Sequence, residues 1–120
     1  VRILVTGSRT WTDIDAIRAA LLSHSGGLQG KGAATLIHGA CPDGADPMAQ
    51  QIADEWDWTV ERYPADWKRY GRAAGPIRNL QMVMTEPDIC LAFIVEGSRG
   101  ASGCALLAEE WGIKTVRYAP

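Results

Sequence analysis

Arg2-Ile3-Leu4-Val5-Thr6-Gly7-Ser8-Arg9 decides the fold. Aliphatic and β-branched residues follow one another without the polar alternation of a half-exposed strand, and the run stops at a glycine. Such a run reads as a strand buried on both faces, the kind found in parallel sheets covered by helices. Next, Asp13 can cap a helix in which Ile14, Ile17 and Leu21 share one face, and Ser25-Gly26-Gly27 ends it. Gly26 to Ala34 carries four glycines and no apolar period, which predicts a surface loop.

The same unit then repeats. Thr35-Leu-Ile-His38 is a second strand ending at Gly39, and Asp46-Pro47 predicts a helix with a capping carboxylate and proline at its first position. That helix runs through Met48, Ile52 and Trp56. Thr59 to Tyr63 is a third strand, stopped by Pro64. A long polar connection leads to Gly75-Pro76, where a third helix is expected to carry Ile77, Leu80 and Met84 on its inner face before Glu86-Pro87 ends it. Ile89 to Val95 is the most apolar run and predicts a central strand, followed by the glycine-rich stretch Glu96 to Gly103. A helix through Leu107 and Trp111 stops at Gly112, and Ile113 to Tyr118 supplies the last strand. Strands alternating with helices imply right-handed crossovers, hence one α/β domain over residues 1–120: a three-layer sandwich with a five-stranded parallel sheet ordered 3-2-1-4-5.

Composition bounds the function. The chain has 120 residues, 47% hydrophobic and 22% charged, with twelve Lys and Arg against fourteen Asp and Glu. The resulting net charge of -2 opposes wholesale electrostatic binding of nucleic acid or membrane, yet leaves room for a local basic patch. The apolar runs are far shorter than the roughly 20 residues needed to cross a bilayer, and the first residues lack a signal-peptide layout. A cytoplasmic protein with no membrane partner is expected. Cys41, Cys90 and Cys104 form neither a disulfide framework nor a metal knuckle, so reduced thiols are the simpler reading. Nine Arg against three Lys, with abundant Ala and Gly, suit a high-GC genome such as that of an actinobacterium or one of its phages.

Ligands of open α/β sheets bind outside the carboxyl ends of the strands, where the strand order reverses. In the order 3-2-1-4-5 that point lies between strands one and four. Three glycine-rich loops converge on it: Gly7-Ser8-Arg9-Thr10, Gly39 to Asp46 with Gly44-Ala45-Asp46 at its end, and Gly97 to Gly103 leading into Cys104. Glycine lets backbone N–H groups approach an anion, and the helix behind each loop adds its positive end. The candidate ligand residues are therefore Gly7, Ser8, Arg9, Thr10, Gly39, Gly44, Ala45, Asp46, Gly97, Gly100, Ser102, Gly103 and Cys104, joined by Arg78 and Asn79 near the start of the third helix. A phosphate-bearing small molecule fits this set. Gly39 to Gly44 has Walker spacing, but Ala45-Asp46 stands where Lys-Ser/Thr should follow, which excludes a P-loop NTPase. The first turn lacks the later glycines of G-x-G-x-x-G, which speaks against an ordinary dinucleotide dehydrogenase.

Asp66 to Arg72, extended to Arg78, interleaves basic residues with Trp67 and Tyr70, a composition suited either to stacking on a base or to a solvated connection. His38 has no acidic or cysteine partner at ligand spacing and reads as a satisfied strand-end histidine, so no metal and no cofactor are expected. Cys104 at a helix start has no resolving thiol and reads as a small buried residue. Trp56, Trp58 and Trp111 read as packing, whereas Trp11, beside the first glycine turn, can cover a base.

Four segments carry a family resemblance: Thr6-Gly-Ser-Arg9, Gly39 through Asp46, Ala74-Gly-Pro-Ile-Arg-Asn79 and Gly100-Ala-Ser-Gly103. Across the chain they resemble the SLOG superfamily, the Rossmann-like group that contains the Lonely guy phosphoribohydrolases and DNA-processing protein A, and within it the single-domain YspA/YpsA-related branch. The resemblance implies binding of a nucleotide or nucleotide-derived molecule at the loop edge. Lonely guy enzymes pair R-K-x-x-M with P-G-G-x-G-T-x-x-E, using Arg and Glu to cleave an N-glycosidic bond. Here Arg78-Asn79-Leu80-Gln81-Met82 has Asn for Lys, and Leu107 occupies the Glu position. Leucine can neither stabilise an oxocarbenium-like centre nor move a proton. Asp46, Glu96 or Glu109 would have to substitute for the missing carboxylate; Glu109 lies about 200° further round the helix and faces away, and Asp46 is better placed, so Arg78 and Asp46 are the catalytic candidates.

The leading expectation is a binder of a nucleotide-derived species, such as ADP-ribose or a nucleoside phosphate, acting as sensor or weak processing enzyme. A single-stranded nucleic-acid module using the Trp67 to Arg78 patch, like DNA-processing protein A, a phosphoribohydrolase with a relocated carboxylate, and an interaction module with a vestigial pocket are the alternatives. Exposed helix faces lead to the expectation of a homodimer.

Overall fold

The computed structural model describes all residues, 1–120. Five parallel strands lie in the order β3-β2-β1-β4-β5, with β1 Arg2–Gly7, β2 Thr35–His38, β3 Thr59–Arg62, β4 Ile89–Phe93 and β5 Lys114–Tyr118. Between them run α1 Ile14–His24, α2 Ala45–Glu55, a one-turn α3 Trp67–Tyr70, α4 Ala74–Met84 and α5 Arg99–Glu110. No helix is long and apolar enough to cross a membrane. The α/β sandwich and strand order are those expected.

Alternation along β1 builds two cores. Ile3 and Val5 join Ile17 and Leu21 of α1, Ala49 and Ile52 of α2, and Leu91 and Phe93 of β4 on one face of the sheet. Leu4, on the opposite face, joins Ile37, Met82 and Val83 of α4, Cys90, and Cys104 and Ala108 of α5. Burial on both sides is why β1 and β4 read as continuous apolar runs. Asp13 caps α1 as expected, its Oδ1 accepting the Ala16 amide at 3.1 Å.

Local structure departs from the sequence reading in several places. The polar connection before α4 contains α3, capped by Asp66 through the Arg69 amide at 3.1 Å, and a 3-10 turn over Gly71–Ala73. α2 begins at Ala45 with Gly44 as its N-cap, so Asp46 is no cap. Gly44 has φ 82, and a Cβ there would overlap the Ser8 carbonyl and stand 2.6 Å from Arg9 Cα. That contact between the first two loops, not capping, sets where α2 starts. α5 begins at Arg99, so Gly100 to Gly103 is helix rather than loop. α4 presents Arg78, Asn79, Met82 and Val83 to the interior, and its row Leu80 and Met84 faces solvent. The helix has more apolar residues than one stripe holds, and the polar interior positions are decided by hydrogen bonds waiting there. Trp111 is also exposed, which places it with Leu80, Met84 and Leu106 among the large exposed apolar side chains rather than in packing.

The loop contact makes a stability prediction. Gly44→Ala should cost at least about 2 kcal/mol, from left-handed backbone strain plus overlap with the Ser8–Arg9 backbone. A urea denaturation midpoint unchanged from wild type would contradict it.

Candidate functional site

A pocket of about 730 Å³ opens at the carboxyl edge of the sheet, where β1 and β4 part. Ser8 fixes its back wall. Its amide donates to the Phe93 carbonyl at 2.9 Å, its Oγ accepts the Val95 amide at 2.8 Å, and its carbonyl accepts the Trp11 and Ala45 amides at 3.1 and 3.4 Å. One residue thus ties the β1 loop to the β4 loop and to the start of α2. Gly7 permits this, because a Cβ there would overlap Ala45 Cβ.

Arg78 projects from α4 into the same space and is only 9% exposed. Nη1 donates to the Gly39 carbonyl at 2.5 Å and to that of Tyr63 at 3.5 Å, and Nε donates to Asn79 Oδ1 at 2.9 Å. A Cβ at Gly39 would stand 2.8 Å from the guanidinium carbon, so a larger residue there requires Arg78 to move. All three acceptors are neutral, Nη2 has no protein partner, and Arg78 belongs to none of the three ion pairs of the chain. Asn79 extends the arrangement by donating from Nδ2 to the Gly100 carbonyl at 3.4 Å. The residue at the lysine position of the phosphoribohydrolase pattern therefore links Arg78 to α5.

Asp46, 4% exposed, also lines the pocket, and its Oδ2 accepts the Cys41 amide at 3.1 Å. Burial and the Asp46 carboxylate raise the Cys41 thiol, against the pull of Arg78 and Arg9. Burial lifts Cys104 to about 11 and Cys90 further still, so both are inert packing residues.

The far wall is the first turns of α5. Ser98 occupies the N-cap without a side-chain capping bond; its carbonyl instead accepts from Ser102 Oγ at 2.6 Å. The first amides of a helix have no intrahelical partner and carry its positive end, which here borders the pocket. Gly100 and Gly103 line it with nothing within 4 Å of the place a Cβ would take. Leu107 and Met82 supply apolar surface, and Trp67, 51% exposed, stands at the rim against Gly75. Charged lining residues are Arg9, Arg78 and Arg99 against Asp46 and Glu96.

Gly7, Ser8, Arg9, Thr10, Gly39, Asp46, Arg78, Asn79, Gly97, Gly100 and Gly103 thus share one cavity. Gly44, Ala45, Ser102 and Cys104 do not line it: the first two make the loop contact, Ser102 bonds back along its helix, and Cys104 is in the core. Trp11 is buried edge-on against Phe93 at 5.3 Å, its Nε1 donating to the Asp13 carbonyl, so it covers no base. The exposed aromatic at the rim is Trp67. Its basic segment flagged it in the sequence, but its place in the pocket depends on α3, which the sequence reading lacked. Cys41, Ser98 and Arg99 also line the pocket; they lie inside two of the three loops read as converging but are not among the residues singled out there.

The family model for the YspA, cpYpsA-related SLOG family matches residues 1–70, spanning Thr6 to Arg9, Gly39 to Asp46 and Trp67. The chain belongs to that family. It is similar to the Gene 61 protein of Mycobacterium phage D29, 35% identical over 130 aligned residues that cover 98% of this chain and 95% of that protein. A phage relative accords with the arginine-rich composition. No solved structure matches. The Ala74 to Asn79 and Gly100 to Gly103 segments of this SLOG domain lie beyond the part matched by the family model.

Gly100→Ala and Gly103→Ala should each stabilise the free protein by roughly 0.5 to 1 kcal/mol, since glycine weakens a helix and no protein atom needs the space. A lowered midpoint in urea for both would show an unseen constraint. Ellman's reagent at pH 8 should modify Cys41 alone in the folded protein and all three thiols in denaturant; rapid modification of Cys90 or Cys104 in the native state would contradict their burial.

Proposed function

We propose that this domain binds an anionic, nucleotide-derived small molecule, with phosphate between Arg78 and the start of α5 and a base near Trp67. The observation that carries this reading is Arg78, a residue nine-tenths buried whose guanidinium lines the pocket with no carboxylate at ion-pair distance. A phosphate matches the guanidinium fork and would supply the counter-ion that no protein group within ion-pair distance provides. The unfilled space over Gly100 and Gly103 and the uncapped α5 supply further donors without steric obstruction. The volume suits a ligand of nucleotide size.

Leu107 lines the pocket where the phosphoribohydrolase pattern has its glutamate, which favours a binder over a hydrolase of that type. One observation supports a second reading: Asp46 is a buried carboxylate in the same cavity. A hydrolase that uses it would release free base from nucleoside monophosphates and lose that activity in Asp46→Asn. The single-stranded nucleic-acid reading rests on Lys68, Arg69 and Arg72, all exposed. It calls for affinity that falls steeply with salt, at roughly 0.7 log units per log unit for each phosphate neutralised.

A thermal-shift panel of AMP, ADP-ribose and related nucleotides, with mass spectrometry of small molecules released on denaturation, tests the binding reading. A true ligand at 100 times its dissociation constant should stabilise the fold by about 2.7 kcal/mol. Arg78→Gln should weaken binding at least tenfold, as expected for a charge-assisted contact of about 1.5 to 3 kcal/mol. Gly100→Val should abolish binding while the domain stays folded. Equal nucleotide affinity in both folded variants would overturn the assignment.

A further inference from the structure

His38 ends β2 one residue before the glycine whose carbonyl holds Arg78, and it is 2% exposed. Its Nδ1 accepts the Ala40 amide at 3.0 Å. A backbone N–H can only donate, so Nδ1 carries no proton and the ring is the neutral Nε2–H tautomer. The other side of the ring agrees. Nε2 is 2.6 Å from Gln50 Oε1, and Gln50 presents its Nε2 to Asp54 Oδ1 at 2.9 Å. The carboxylate demands the amide NH2, which turns the Gln50 oxygen toward the imidazole.

Ala40 has φ 55, a left-handed conformation that residues with a Cβ rarely adopt. Both neighbours carry pocket chemistry. The Gly39 carbonyl accepts from Arg78, and the Cys41 amide donates to Asp46. The bare Nδ1 is the side-chain acceptor that holds the strained residue between them. We propose that His38, fixed in its tautomer by Gln50 and Asp54, is the positioning residue that sets the Gly39–Cys41 turn and thereby aims Arg78 and Asp46 into the pocket. Its affinity readout rests on the binding reading above; its conformational readout does not.

Asparagine and glutamine separate this role from simple packing, because the Asn oxygen can replace Nδ1 and the Gln amide can replace Nε2–H. In 15N-labelled protein, the wild-type imidazole shifts should report the Nε2–H tautomer. His38→Asn should keep the Ala40 amide protected from exchange and bind AMP within about threefold of wild type, whereas His38→Gln should lose about tenfold in both, consistent with one unsatisfied buried donor. In the Ala40→Gly background, where the turn needs no support, His38→Gln should lose less. Equal protection and affinity in the two variants, or an Nδ1–H tautomer in wild type, would overturn the proposal. If wild type binds no AMP, the function fails while tautomer and exchange still judge His38; if the variants do not fold, the wild-type tautomer decides alone.

Discussion

The guanidinium of Arg78 is the group around which the functional edge is organised. It is buried on three neutral acceptors, two backbone carbonyls and the Asn79 side-chain oxygen. Those acceptors satisfy part of its fork, and none of them carries a counter-charge. α4 turns Arg78 and Asn79 inward beside Met82 and Val83 to make this arrangement and leaves Leu80 and Met84 exposed. A helix accepts such an orientation when buried polar groups find partners and enough apolar residues remain to cover the sheet, which Met82 and Val83 do here.

The loops around Arg78 depend on close approach more than on flexibility. Gly39 gives the guanidinium room, and Gly7 and Gly44 let the first loop lie against the start of α2. Ser8 then bridges that pair to β4. Gly100 and Gly103 differ in kind: both line the cavity, and no protein atom lies within 4 Å of where a Cβ would stand. Glycines of the first type serve close packing of the fold, and those of the second type have no packing reason to be glycine.

Much of this was legible in the sequence because it depends on local chemistry. The unbroken apolar runs at Arg2 to Thr6 and Ile89 to Val95 declare a doubly covered parallel sheet, and alternation of strands and helices fixes the switch point. Asp13 announces its cap. What failed was decided by tertiary contact. Asp46-Pro47 has the composition of a helix start, yet the helix begins earlier because Gly44 packs on Ser8 and Arg9. The Ile77, Leu80, Met84 spacing is sound helical periodicity, but α4 has two apolar rows and hydrogen bonds to Arg78 and Asn79 chose between them. Trp67 entered the pocket through a one-turn helix too short to leave a periodic signature.

The most direct test of anion binding at Arg78 is a titration of 15N-labelled protein with AMP and with ADP-ribose, followed residue by residue. Saturable shifts should centre on the Arg78 Nε–H and on the backbone amides of Gly39, Arg99 and Gly100. Movement confined to Lys68, Arg69 and Arg72, or no movement with either ligand, would contradict the account.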